Sequence, residues 1–299
     1  MMLDARLFPG FAIEDVPTTG ATIRTLRAGS GPPLLLLHGY PQTHVIWHRI
    51  ASRLAEHFSV VLTDLRGYGD SSKPEGGGRH ANYSFRAMAQ DQLEVMRSFG
   101  YSRFAVGAHD RGARTAHRLC LDHPEAVRKV CFMDIVPTLR MYRDTSQEFA
   151  TRYMWWFFLI QKAPLPEHMI GSDPVFFLDQ HFAVQNATPG ALTADAVSEY
   201  RRCFCTAEAI HASCEDYRAA AGIDLELDAA DEQAGRKIEA PVLALWGAKG
   251  ALGRLWNVLD VWRQHANAPV EGRALESGHY LAEEQPEEVL REYLRFFRD

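Results

Sequence analysis

The sequence lacks a hydrophobic run long enough to cross a membrane. Its longest uninterrupted apolar stretch is Met154–Ile160, whereas a spanning helix needs about 20 apolar residues. Residues 1–6 contain no basic stretch followed by an apolar one, so no signal peptide is expected. We therefore expect a cytoplasmic protein without a membrane partner.

An excess of basic charge and a paired set of cysteines are also missing. The 299 residues include 32 Lys and Arg against 38 Asp and Glu, a net charge of −6, so nucleic acid is not expected as a partner. The five cysteines have no zinc-site spacing, and Cys203 and Cys205 are too close for a C-x-x-C site. Without a P-loop or a G-x-G-x-x-G motif, we expect no nucleotide, flavin or metal cofactor.

Short apolar runs alternate with segments that have helical spacing, which predicts an α/β fold with a parallel sheet covered by helices. The runs are continuous, as expected for strands buried on both faces. Phe11–Arg27 is typical of a hairpin. The predicted parallel strands are Pro33–Leu37, Ser59–Thr63, Phe104–Ala108, Val130–Met133 and Pro241–Trp246.

The alternation stops after Asp134 and returns at Pro241. The stretch between is rich in aromatic residues and helix formers and contains no convincing strand. We therefore predict a core domain made of residues 1–136 and 236–299. Residues 137–235 would form a helical cap domain inserted into it.

The strongest local motif is Ala108–Gly112, where an apolar strand runs into a helix through a small-x-nucleophile-x-small turn. The central residue is Asp110, and no G-x-S-x-G occurs in the chain. A carboxylate is a poor acyl-transfer nucleophile but can displace a leaving group from saturated carbon, which gives an alkyl ester. The motif therefore indicates cleavage of a carbon–halogen or epoxide C–O bond. The alternative is that Asp110 only caps the helix.

An ester on Asp110 requires a base that activates water. His279 follows a glycine in a short loop before the last helix, the late position at which α/β-hydrolases carry their histidine. Asp134 ends a buried strand and is the candidate acid that orients the imidazole. Asp260 is the weaker alternative.

Arg111 and Arg114 follow the candidate nucleophile and share one helix face. Two cations in a first turn oppose the helix dipole. We interpret them as a clamp for a substrate carboxylate, with structural ion pairs as the alternative. The backbone N–H groups of Tyr40 and Arg111 are the candidate oxyanion hole.

Six motifs together resemble the haloacetate (fluoroacetate) dehalogenases of the α/β-hydrolase superfamily. The resemblance implies a mostly parallel eight-stranded sheet with a helical cap, and a homodimer. It also implies that Asp110 is the nucleophile, His279 the base and Asp134 its acid. The motifs are Leu7–Phe11, His38–His44, His109–Arg114, Ala163–Glu167, Cys214–Arg218 and Glu276–His279.

The same resemblance implies that a histidine, a tryptophan and a tyrosine of the cap hold the departing halide. The matching positions here are Trp155, Trp156 and Tyr217. Trp155 stands where the family has its histidine. Chloro- or bromoacetate is therefore expected as a substrate, and cleavage of a C–F bond stays open.

Three functions remain at this point. The first is a hydrolytic dehalogenase that converts a small anionic 2-haloacid, such as haloacetate, into a 2-hydroxy acid (glycolate) and halide. The second is an epoxide hydrolase with the same Asp-His-Asp triad and two cap tyrosines from among Tyr142, Tyr153, Tyr200 and Tyr217. The third is a homologue that binds a small acid without catalysis.

Overall fold

The computed structural model describes residues 6–298, and its centre is one eight-stranded sheet. The spatial order of the strands is β1-β2-β4-β3-β5-β6-β7-β8. Residues 1–5, in which no signal peptide is expected, lie outside the described residues, as does residue 299. The strands are β1 Ala12–Pro17, β2 Thr22–Ala28, β3 Pro33–Leu37, β4 Ser59–Thr63, β5 Phe104–His109, β6 Val127–Met133, β7 Val242–Gly247 and β8 Val270–Leu275.

The sheet is mostly parallel, as predicted. β1 and β2 form an antiparallel hairpin, and β2 pairs antiparallel with β4. The pairings from β4 through β3, β5, β6 and β7 to β8 are parallel. Every residue of β4 and β5 is buried, because helices cover both faces of a parallel sheet. The α/β-hydrolase fold is thereby confirmed.

Helices of the sheet-bearing part follow the strands in the βα order. None of the helices within residues 6–298 is both long and apolar enough to cross a membrane. The α-helices outside residues 138–233 are α1 Ala51–Ala55, α2 Phe85–Ser98, α3 Asp110–Asp122, α12 Leu252–Leu255, α13 Val258–His265, α14 Leu281–Glu284 and α15 Pro286–Phe297. Two 3-10 helices lie at His44–Trp47 and Gly78–Tyr83.

A helical segment separates β6 from β7, and we call residues 138–233 the helical insertion. It contains no strand among the described residues, as predicted, whereas the exact domain limits stay a prediction. Its helices are α4 Thr138–Arg143, α5 Gln147–Arg152, α6 Met154–Phe158, α7 Leu165–Ser172, α8 Pro174–Gln185, α9 Ala194–Phe204, α10 Ala207–Ala220 and α11 Ile223–Gln233.

The segment Trp47–His57 is not one continuous helix. Its apolar residues recur at helical spacing, but the structure has a 3-10 helix at His44–Trp47 and then α1. Between them the backbone turns tightly, since the N–H groups of His48 and Ile50 bind carbonyls three residues back. Apolar periodicity does not distinguish a 3-10 turn from the start of an α-helix.

Candidate active site

Asp110 occupies the sharp junction between β5 and α3. Its backbone has a φ of 44°, a conformation that is strained for a non-glycine residue and concentrates at functional sites. A Cβ on Gly112 would lie 2.3 Å from the carbonyl oxygen of His38, and one on Gly39 would lie 2.5 Å from the Cβ of Asp110. The turn therefore requires small residues around the carboxylate.

The Asp110 carboxylate does not cap the helix. Asp110 is the first residue of α3, and the capping position is occupied by His109, whose side chain makes no capping bond. Instead, Asp110 Oδ2 accepts a hydrogen bond from the backbone N–H of Tyr40 at 3.0 Å. Burial would raise the pKa of Asp110, but the charges of His279 and Arg114 hold it below its ordinary value. The carboxylate is thus ionised although it is buried.

His279 and Asp134 form a hydrogen-bonded pair close to Asp110. His279 Nδ1 lies 2.6 Å from Asp134 Oδ2, so Nδ1 carries the proton and Nε2 is left as the basic nitrogen. The other oxygen of Asp134 accepts from the backbone N–H of Gly247 at 3.0 Å. Asp260 instead binds Arg263 on α13 and is exposed. The structure therefore places Asp134, and not Asp260, against the imidazole.

The charges around His279 favour its protonated form. Burial lowers the pKa of His279, but the hydrogen bond and charge of Asp134, with Asp110 and Glu284, raise it above its ordinary value. His109 lies beside it at a ring distance of 4.4 Å and donates Nε2–H to the carbonyl oxygen of His279 at 2.8 Å. Burial lowers the pKa of His109 to about 3, so this neighbour stays neutral.

Arg111 and Arg114 are both buried, but their partners differ. Arg111 donates Nε–H to Asp216 Oδ2 at 2.8 Å and also binds Oδ1 of the same carboxylate. Arg114 binds neutral acceptors, the carbonyl oxygen of Val136 at 3.1 Å and Thr138 Oγ1 at 3.0 Å. Burial lowers the pKa of Arg114 to about 10, so it stays charged near neutral pH.

Each arginine keeps an N–H group without a partner. Nη1 of Arg111 and Nε of Arg114 are buried and have no hydrogen-bond partner among residues 6–298. A buried donor without a partner costs about 1–3 kcal/mol. The charges of both arginines act on Asp110, and two such donors near this candidate nucleophile are suited to a ligand that supplies negatively charged oxygen.

The three aromatic candidates come from the helical insertion and lie over the core site. The ring of Tyr217 lies 4.1 Å from Arg111 Cζ, and that of Trp156 lies 4.6 Å from Arg114 Cζ. Trp155 is placed differently, because its ring packs edge-on against His181 at 4.6 Å. The structure thus brings Trp156 and Tyr217 against the two guanidinium groups and sets Trp155 beside a histidine.

Sequence reasoning missed three residues that shape this site. Asp216 fixes Arg111 and lies inside the motif Cys214–Arg218, but its role depends on a partner 105 positions away. Burial lowers the pKa of His181 to about 3, and this neutral imidazole has no motif around it. Glu284 binds the backbone on both sides of His279. Asp216 acts through a distant segment, whereas Glu284 binds backbone only four and six positions away but lies in no motif that would indicate it.

Comparisons with known proteins agree with this geometry. The model of the α/β hydrolase fold family matches residues 32–286. The chain is 43% identical to a fluoroacetate dehalogenase of Burkholderia sp., over 96% of this chain and 95% of that protein. It is 32% identical to a soluble epoxide hydrolase of Corynebacterium sp. (strain C12), over 93% and 94% of the two chains.

Solved structures give the same result. A crystal structure from Nostoc sp. PCC 7120, described as an α/β hydrolase, superimposes with a TM-score of 0.94 at 54% identity, over 96% of this chain and 97% of that one. The chain therefore belongs to the α/β-hydrolase superfamily and, within it, to the haloacetate dehalogenase family.

Proposed function

We propose that the protein is a hydrolytic dehalogenase of small 2-haloacids, with haloacetate as the simplest substrate. The observation that carries the proposal is the pair of buried, unpartnered N–H groups, Arg111 Nη1 and Arg114 Nε, on two arginines whose charges act on Asp110. A substrate carboxylate would accept from both. The α-carbon of the substrate, which is bonded to this carboxylate, would then face Asp110, the proposed nucleophile.

In the first step, an oxygen of Asp110 forms a bond to the α-carbon while the carbon–halogen bond breaks. The halide leaves with the bonding electron pair, and the carboxylate becomes an alkyl ester. Because Oδ2 is held by the Tyr40 N–H, Oδ1 is the attacking oxygen. The depressed pKa of Asp110, held down by His279 and Arg114 against burial, keeps the nucleophile ionised.

In the second step, water attacks the Cγ atom of the ester. His279 Nε2 removes the proton of the water, and Asp134 stabilises the imidazolium that forms. The negative charge develops on Oδ2, where the Tyr40 N–H already lies, with the N–H of Arg111 as the second donor of the proposed oxyanion hole. When the tetrahedral intermediate collapses, the bond between Cγ and Oδ1 breaks. Oδ1, still bonded to the α-carbon of the substrate, takes the proton from His279 and leaves as the hydroxyl group of the 2-hydroxy acid.

Trp156, Tyr217 and Trp155 form the proposed site for the departing halide. The first two pack on the guanidinium groups, so the leaving group and the carboxylate of one small substrate would be held by adjacent side chains. Aromatic edges and indole N–H groups are positively polarised and suit a large, polarisable anion. Chloride and bromide fit this description better than fluoride.

The test is to trap the ester. In a His279→Ala variant treated with chloroacetate, we expect halide release limited to one equivalent and a carboxymethyl group on the peptide that contains Asp110. The double variant Asp110→Asn/His279→Ala controls for alkylation of cysteines. Halide release without an adduct on Asp110 would refute the mechanism, and tight binding of haloacetate by the wild-type protein without turnover would identify an acid-binding protein instead.

An epoxide hydrolase is the second candidate, because two buried cap tyrosines lie within electrostatic reach of Asp110. The charge of Asp110 contributes to raising the pKa of both Tyr153 and Tyr217, for which burial is the main cause. Two such hydroxyls could protonate an epoxide oxygen, and the Corynebacterium relative bears that name. Against it, a neutral epoxide would leave the N–H groups of Arg111 and Arg114 unpartnered. Turnover of styrene oxide without halide release from haloacids would establish this alternative.

A further inference from the structure

The loop that carries His279 is joined to the helical insertion by one carboxylate. Glu284 is 5% exposed and lies at the end of α14. Its Oε2 accepts from the N–H of Gly278 at 2.8 Å, and its Oε1 accepts from the N–H of Tyr280 at 3.0 Å. One side chain therefore holds the residues immediately before and after the imidazole.

The same carboxylate also binds the segment that follows α8. Oε2 accepts from the N–H of Ala187 at 3.0 Å and from Thr188 Oγ1 at 2.9 Å. A fifth bond spans the same junction, since the N–H of His279 donates to the carbonyl oxygen of Gln185 at 3.0 Å. The backbone of the base is thus attached to the helical insertion both directly and through Glu284.

The junction is too tight for a side chain on the residue before the base. A Cβ on Gly278 would lie 2.2 Å from the carbonyl oxygen of Gln185 and 2.8 Å from the N–H nitrogen of Ala187. Real Cβ atoms do not approach other atoms this closely. The backbones of the loop and of the insertion can therefore come into contact here only because residue 278 is a glycine. The position of the imidazole is consequently set by the insertion as well as by the core.

We propose that Glu284 is a positioning residue that couples the helical insertion to the base His279, and that it acts on hydrolysis of the Asp110 ester rather than on its formation. The inference rests on the proposed function. Ester formation needs only Asp110 and the substrate site, and neither is touched by Glu284. Ester hydrolysis needs Nε2 of His279 aimed at a water molecule, and a displacement of about 1 Å there can reduce a rate about 100-fold.

Glu284→Gln keeps the shape of the side chain but replaces one acceptor oxygen with an NH₂ group, which faces N–H donors. In single-turnover experiments with chloroacetate, we expect the first halide burst to keep the wild-type rate while ester hydrolysis slows by about 10- to 100-fold. The ester on Asp110 should accumulate in the mass spectrum. Glu283→Gln is the matched control, because the side chain of Glu283 binds Gln42 and Tyr200 and makes no bond to the backbone around His279.

The pH profile of ester hydrolysis separates positioning from a loss of fold. The negative charge of Glu284 helps to raise the pKa of His279, after Asp134 and Asp110, against burial. The base must be unprotonated, so removing this charge should move the acid limb of the profile to lower pH. Loss of folded protein would reduce the amplitude and leave the limb in place.

Thr188→Val tests the link to the insertion without changing Glu284. It removes one donor from Oε2, and we expect the same selective slowing of hydrolysis, smaller than in Glu284→Gln. An equal slowing of both half-reactions in Glu284→Gln, or no slowing of either, would overturn the inference. If Thr188→Val matches wild type, the coupling to the insertion is refuted. Absence of halide release and of the Asp110 ester in the wild-type protein would instead refute the proposed function.

Discussion

Arg111 and Asp216 form a buried ion pair that joins the first turn of α3 to α10 of the helical insertion. Both side chains are fully buried, and Nη2 of Arg111 also donates to the carbonyl oxygen of Asp216 at 3.0 Å. The pair neutralises one of the two guanidinium charges beside Asp110. The two arginines are therefore not equivalent, because Arg111 is hydrogen-bonded to a carboxylate and Arg114 only to neutral acceptors.

Arg114 should contribute strongly to binding the carboxylate of the substrate. For Arg114→Gln we expect kcat/KM for chloroacetate to fall by about 10- to 100-fold, since a hydrogen bond to a charged group is worth about 1.5–3 kcal/mol. Chloroacetamide, which lacks the charge, should lose much less. Steady-state halide release from both substrates measures the difference, and an equal loss for the two would argue against the clamp.

Asp216 should be more important for stability than for the chemistry itself. Asp216→Asn leaves the Arg111 charge buried without a counterion, and breaking a buried pair costs about 3–5 kcal/mol. We expect a loss of that size in the free energy of unfolding, measured by urea denaturation. Asp260→Asn, which breaks an exposed pair with Arg263, should cost little and should leave activity unchanged. A neutral outcome for Asp216→Asn would show that water or rearrangement replaces the pair.

Trp155 should set the preference among halides. Trp155→His restores a compact donor at the position where the family has histidine, so fluoride release from fluoroacetate should rise relative to chloride release from chloroacetate. Trp155→Phe, which removes the indole N–H without adding a donor, should not have this effect. An unchanged ratio in Trp155→His would remove Trp155 from the halide site and direct attention to His181, which packs against it.

Glu283 should make the folded protein less stable as the pH rises. The carboxyl group is fully buried, and burial raises its pKa to about 8 although Tyr200 and Gln42 donate to it. An unfolded Glu titrates near 4.3, so between about pH 4.3 and 8 the native state binds more protons than the unfolded state. The free energy of unfolding should therefore fall with rising pH, by at most about 1.4 kcal/mol per unit from this group.

Glu283→Gln should flatten that part of the stability profile. Urea denaturation of both proteins at several pH values between 5 and 9 measures the effect. The gap between the variant and the wild type should widen in favour of the variant as the pH approaches 8. Parallel profiles would mean that Glu283 is ionised in the native state.

The fold could be predicted from the order of the apolar runs, and the proximity of the three candidate residues could be predicted because each follows a parallel strand. Asp110 follows β5, Asp134 follows β6, and His279 follows β8, and such ends meet at one edge of a sheet. The C-terminal helix Pro286–Phe297 begins with a proline, a residue that favours the first position of a helix. These features are encoded locally in apolar runs and turn residues.

The supporting contacts could not be predicted, because nothing local encodes them. Asp216 binds Arg111 across 105 positions, and Glu284 binds Thr188 across 96. Asp134 is another example, because its place at the end of a strand is visible in the sequence, whereas its hydrogen bond from the N–H of Gly247 comes from 113 positions away. Pairing of distant segments depends on the packed fold and not on spacing.

Gly247, at the end of β7, leaves no room for a side chain. A Cβ at that position would lie 2.0 Å from the carbonyl oxygen of Gly278, and the N–H of Gly247 is already committed to Asp134. No single substitution at position 247 can move the acid from β6 to β7 without displacing the chain that carries His279. Placing the carboxylate partner of His279 after β7 would therefore require coordinated changes in two loops.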